Sequence, residues 1–211
     1  MRLGTYYRLH LFRGFGLHQA EGRVLDVGGF DGLWASQLPA HARYVLDTSP
    51  RAETRNVTYV TGDAQRLPFS DGSFDTVFAF DVIEHVPDEV PVIDEAARVL
   101  RRGGRLILTT PSEDIRIFPG LLQSWADRRW GHDRVRGFRA DYIRKLLERS
   151  GFSEARVMEI GITRFRTRYL LLRLLWVLAP KLGRRLARDA ASKDSSDPLG
   201  PRGSILVLAT C

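Results

Sequence analysis

Cysteine is almost missing from this chain of 211 residues; the one thiol, Cys211, stands at the last position. A single thiol excludes an intrachain disulfide framework and a cysteine-held zinc cluster, and it suits a reducing, cytoplasmic setting. No metal site is expected. Long apolar runs are missing too. Residues 169–180, Tyr-Leu-Leu-Leu-Arg-Leu-Leu-Trp-Val-Leu-Ala-Pro, fall short of the roughly twenty residues that cross a bilayer. Residues 1–20 are too polar to read as a signal peptide. They hold Arg2, Arg8 and Arg13 and no acid. There is no internal repeat, and no Gly-x-x-x-x-Gly-Lys phosphate cradle.

Charge of one sign is scarce over most of the chain. Residues 163–202 hold ten basic and three acidic side chains, which accounts for the net charge of +7, and the rest balances at 22 of each. The basic character therefore belongs to one late, apolar-rich segment. That argues against a nucleic-acid groove, where basic and aromatic residues interleave over a surface.

What is present is a core and a set of strand-turn-helix signals. Hydrophobic residues make up 44% of the chain, enough for one domain. We read residues 1–20 as an N-terminal helical segment and 163–202 as an insertion. Strands are expected at 23–27, 43–47, 57–60, 75–80, 104–110, 154–160 and 205–210. Helices are expected at 32–38, 88–101 with Gly103 as its cap, and 140–150 with Gly151 as its cap. Strands alternating with helices imply a mostly parallel sheet covered on both faces. The densest signal is Val24-Leu25-Asp26-Val27-Gly28-Gly29-Phe30-Asp31-Gly32, a strand running into a glycine turn. Such turns bring backbone close to a ligand. Asp26, Asp47 and Asp63 fall at or just past the carboxyl ends of successive strands, where open α/β sheets bind ligands.

Ordered motifs extend from there: Leu46-Asp47, Gly62-Asp63-Ala64, Leu67-Pro68-Phe69-Ser70-Asp71-Gly72-Ser73-Phe74-Asp75, Val82-Ile83-Glu84-His85-Val86, Leu100-Arg101-Arg102-Gly103-Gly104 and Gly131-His132-Asp133-Arg134. Over about residues 22–160 and the last strand, this pattern resembles the class I S-adenosylmethionine-dependent methyltransferases. It is most similar to the small-molecule branch that includes the ubiquinone and menaquinone methyltransferases. The resemblance implies a three-layer Rossmann-like α/β sandwich, with a mostly parallel seven-stranded sheet and an antiparallel last strand. It implies S-adenosyl-L-methionine as cofactor and a small-molecule or lipid-linked acceptor. Gly28 and Gly32, with Gly29 between them, would hold the turn under the methionine part, with Asp26 beside it. Asp47 would take the ribose hydroxyls. Asp63 and Ala64 would border the adenine. Phe80 and Asp81 would line the floor where cofactor meets acceptor. The chain departs from the family at Phe30, where a second glycine is usual.

His85 and His132 are the candidate bases, since histidine titrates near neutral pH. His85 equally suits a structural hydrogen bond beside the cofactor. Trp125 and Trp130 either wall an acceptor pocket or cover the sheet edge. Leu170, Leu171, Leu174, Leu175 and Leu178 fall on one side of a helix flanked by arginines, with Trp176. That segment reads as a peripheral membrane contact through 163–190, a lid, or a dimer contact. Two rival functions stand beside methyl transfer to a small molecule. One is nucleic-acid methylation, although the fourth strand ends Phe80-Asp81-Val82-Ile83 and lacks an Asn/Asp-Pro-Pro-Tyr motif. The other is a non-catalytic scaffold that keeps the fold.

Overall fold

A computed structural model describes residues 3–51, 54–113, 137–161, 168–196 and 202–211. The elements in chain order are α1 (Leu3–Gly14), β1 (Arg23–Val27), β2 (Ala42–Asp47), β3 (Thr58–Thr61), β4 (Phe74–Phe80), α2 (Val90–Val99), β5 (Leu100–Pro111), α3 (Ala140–Arg149), β6 (Glu154–Gly161), α4 (Tyr169–Leu178), α5 (Pro180–Ser196) and β7 (Arg202–Thr210). Seven strands pair in the order β3-β2-β1-β4-β5-β7-β6. β1 to β5 run parallel, whereas β7 is antiparallel to both β5 and β6. This is the Rossmann-like sheet that the motifs imply.

Contacts gather into two compact units, residues 19–158 with 205–211, and residues 1–18 with 159–204. In the first, Leu25, Leu46, Val77, Phe74, Ile93, Leu106, Leu108 and Ile143 form a core closed to solvent. The β1 run Val24-Leu25-Asp26-Val27 is buried at every position, as a central parallel strand requires. α2 buries Val92, Ile93, Ala96 and Val99. α3 buries Ile143, Leu146 and Leu147, the three positions its periodicity selects.

Three expectations need correction. The helix at 32–38 is only a 3-10 turn, Ala35–Gln37, and Leu38 is already extended at ψ 146. Pro39 follows it, and a residue before proline is driven out of the helical region. The helix at 88–101 stops at Val99, because Leu100 is extended and pairs with Phe74. Gly103 is therefore no helix cap. It turns at φ +73 within β5 and donates its amide to the Cys211 carbonyl at 2.7 Å. Trp176 does not share the exposed leucine side of α4. It packs 5.3 Å from the Tyr6 ring, and the Arg184 guanidinium lies 5.9 Å from its ring centre.

In the second unit, Leu3, Leu172 and Ala187 form a small core that joins α1, α4 and α5. Tyr7 donates to the buried Asp194 carboxylate at 2.7 Å. Gly14 lets α1 approach α5, since a Cβ there would meet the Ser195 hydroxyl at 2.1 Å. The N-terminal segment and the late insertion thus fold together.

Candidate functional site

The site is built at the carboxyl ends of β1 to β4. Parallel register brings those ends to one edge, with Val27 opposite Leu46 and Ala79, and Asp47 opposite Thr61. The chain leaves β1 through Gly28, whose φ of +72 favours glycine. Its amide donates to the Leu46 carbonyl at 2.7 Å, and a Cβ there would strike Val82 Cγ2 at 2.7 Å. A Cβ at Gly29 would lie 2.5 Å from Asp26 Oδ2, and one at Gly32 (φ +67) would lie 2.4 Å from the Tyr59 hydroxyl. All three glycines are therefore demanded by neighbours.

Phe30 occupies this turn at φ +36, a region that costs a residue with a Cβ about 1 kcal/mol or more. Its carbonyl accepts from the Arg51 amide at 2.8 Å. Tyr59 braces the same turn. Its hydroxyl donates to the Asp31 carbonyl at 2.9 Å and lies 2.8 Å from Thr54 Oγ1. Nothing local marks Tyr59 from sequence; only its place on β3 opposite Val45 brings it here.

Asp26 is 3% exposed. Burial pushes its carboxyl up to about 8, and the charges of Asp31 and Asp47 add to the rise. Asp47 is half-buried, and its Oδ1 accepts from the Ser49 amide at 2.9 Å. Its backbone carbonyl accepts from the Gly62 amide at 3.1 Å, which joins the β2 and β3 ends. Asp63 is exposed and is held the same way, Oδ1 accepting from the Gln65 amide at 2.9 Å. Ala64 beside it is buried. Asp47 and Asp63 thus each have one oxygen fixed by backbone two residues on, a short loop that orients the carboxylate.

Phe80 ends β4 with its ring 5.6 Å from that of Trp34. Asp81 follows at φ +53. Its amide donates to the Thr109 carbonyl at 2.8 Å, and its Oδ1 accepts from the Thr109 hydroxyl at 3.0 Å. A positive φ in a residue with a side chain is uncommon and is held here by β5. Glu84 turns inward and accepts from Thr110 Oγ1 at 3.1 Å, while His85 is exposed. His132, Trp125 and Trp130 lie outside the described residues.

Arg98 is a positioning residue that no local sequence signal marks. Its guanidinium reaches Glu95 at 2.6 Å, Asp71 at 2.6 Å and the carbonyls of Phe69 and Leu67 at 2.8 and 3.0 Å. It clamps the loop after β3. A polar cleft of about 360 Å³ lies at the opposite, amino edge, lined by Glu21, Asp75, Arg101 and Arg105. There Asp75 is held below the usual carboxylate range by the Arg23 amide and Arg101. Its charge is already satisfied, and we set this cleft apart from the candidate site.

Residues 25–108 match the family described as "Methyltransferase domain". Residues 25–108 carry a methyltransferase domain, and the similarities that follow support the class I S-adenosylmethionine-dependent kind. The domain is similar, at 52% identity over 106 residues, to the 27-O-demethylrifamycin SV methyltransferase of Amycolatopsis mediterranei, covering 43% of this chain and 39% of that protein. It is 50% identical over 112 residues to a demethylmenaquinone methyltransferase of a Mycobacterium species, covering 49% and 48%. The chain spans about half the length of the curated relatives it matches. Among solved structures, the phosphoethanolamine N-methyltransferase 2 of Haemonchus contortus with S-adenosyl-L-methionine superposes with a TM-score of 0.66 at 21% identity, covering 97% of this chain and 51% of that one. At that identity the likeness is one of fold.

The residues present fit the cofactor of this class. At Gly28, Gly29 and Gly32 the backbone lies too close to Val82, Asp26 and Tyr59 to admit any Cβ, which fixes the shape of the turn at the strand ends. Beside Asp63 and Ala64, the Gln65 Oε1 is buried and has no hydrogen-bond donor among the described residues. An adenine amine is the kind of donor that such an acceptor lacks.

Proposed function

We propose that this chain transfers a methyl group from S-adenosyl-L-methionine to a small-molecule or lipid-linked acceptor, in a reducing cytoplasmic setting. The observation that carries the reading is the turn Gly28-Gly29-Phe30-Asp31-Gly32, fixed at the carboxyl end of β1 by the packing of its three glycines on Val82, Asp26 and Tyr59 and set beside Asp47. The cofactor supplies an electrophilic methyl on a sulfonium, so no phosphate cradle is needed.

The chain's own residues bind and orient. Asp47 accepts from the ribose hydroxyls with its free lone pairs, in charge-assisted bonds. Asp63 and Ala64 border the adenine. Asp26 stands behind the glycine turn, close to the methionine amine, where a nearby cation favours its ionised form. Phe80 and Asp81 form the floor, with Asp81 held by Thr109. Holding donor and acceptor in line at attack distance supplies most of the rate. His85 or His132 takes the proton where the acceptor nucleophile carries one.

Incubation with methyl-labelled S-adenosyl-L-methionine and either a small-molecule and lipid extract or total nucleic acid tests this reading. Label is expected in the organic-soluble fraction. Label confined to nucleic acid contradicts it. If His85 is the base, His85→Ala loses about 10²–10⁴ in turnover while cofactor affinity holds.

A further inference from the structure

α4 is apolar on two faces, and the fold uses only one. Leu172 is fully buried, and Tyr169 and Trp176 pack around it against Leu3 and Ala187. The other face carries Leu170, Leu171, Leu174, Val177 and Leu178, which are 51–73% exposed. At 100° per residue these five span a stripe about 120° wide. Leu182, 46% exposed in the first turn of α5, extends it. Contiguous exposed apolar surface of this kind marks a contact with something else.

Charge around the stripe identifies the partner. Residues 168–188 hold Arg168, Arg173, Lys181, Arg184, Arg185 and Arg188, all exposed, and no acid. Arg173 lies within α4 at the border of the stripe, and Lys181 opens α5. A second copy docking this face by a twofold axis would set the same cation-bearing, acid-free surface against itself. An anionic bilayer surface instead complements both features. Leucines enter the headgroup boundary while lysine and arginine heads stay among the phosphates. Ten residues of α4 lie in that plane, since among the described residues no helix is long and apolar enough to cross a membrane.

We propose that the exposed face of α4, with its flanking cations, is a docking surface for anionic lipid bilayers. This stands independently of the methyl-transfer reading, because every residue it uses lies in the unit formed by 1–18 and 159–204.

Flotation of the full chain with vesicles tests it. Binding is expected to phosphatidylglycerol–phosphatidylcholine vesicles, weakening as salt is raised, with little binding to phosphatidylcholine alone. Leu174→Ser with Val177→Ser should lower partitioning about a hundredfold, roughly tenfold for each apolar side chain withheld from the bilayer. Arg173→Gln with Lys181→Gln should lower it about tenfold or more. Both pairs are at exposed positions, and an unchanged thermal midpoint shows that the fold is kept. Three results would overturn the proposal. They are no binding by the parent chain, equal binding by the leucine variant, or a dimer in light scattering that dissolves in that variant.

Discussion

Gly29→Ala isolates the packing at the base of the site from backbone strain, because Gly29 is not among the positive-φ residues. Its new Cβ would lie 2.5 Å from Asp26 Oδ2, 2.6 Å from Cγ and 3.1 Å from Cβ. Carbon atoms favour about 3.5–4.0 Å, so the contact is about an ångström too close. Asp26 has little room to yield, being 3% exposed on a strand paired on both sides. Overpacking of this kind costs about 1–3 kcal/mol. In an Asp26→Ala background only the 3.1 Å contact remains, and the cost of Gly29→Ala should fall below about 1 kcal/mol. Urea denaturation of the four proteins closes the cycle, with equal m-values confirming comparable end states. A coupling of about 1–2 kcal/mol is expected. Additive effects, with Gly29→Ala as costly without the carboxylate as with it, would refute the argument.

Asp26 also sets a pH dependence. Its folded value is raised from 3.8 to about 8, so between these values the folded chain keeps a proton that the unfolded chain loses. Its contribution is present at acid pH and is lost as pH rises towards 8, with a slope approaching about 1.4 kcal/mol per unit. Asp26→Asn should remove that slope in denaturation at several pH values, and parallel curves for the two proteins would contradict it. Phe30→Gly should relieve the strain at φ +36 and leave S-adenosyl-L-methionine affinity within about threefold, because the turn already adopts the glycine-like conformation. A gain of orders of magnitude in calorimetry would instead favour the scaffold reading.

The sheet was legible because strand ends carry local marks. β1 ends at Val27 before Gly28, and β2 ends at Asp47, as their apolar runs and acids predict. The bounds of α3 follow from Ile143, Leu146 and Leu147. Apart from the turn before Pro39, what failed locally was decided by distant pairing. Leu100 reads as helix until Phe74 claims it as strand. Gly103 reads as a cap until its amide meets Cys211, at the far end of the chain. The same holds within the site. The acids and glycines sit in recognisable turns, but Tyr59 and Arg98 brace those turns from β3 and α2, with no local signal. On α4 the leucine spacing was visible. That Trp176 turns inward depends on Tyr6, more than 160 residues earlier in the sequence.

Calorimetric titration with S-adenosyl-L-methionine, comparing the parent chain with Asp47→Ala, tests the central claim most directly. Asp47 Oδ1 is already oriented by Ser49, and each bond from a ribose hydroxyl to a carboxylate is worth roughly 1.5–3 kcal/mol. The account predicts one-to-one binding that Asp47→Ala weakens tenfold or more with the thermal midpoint unchanged. No binding by the parent chain, or equal affinity in the folded variant, would contradict it.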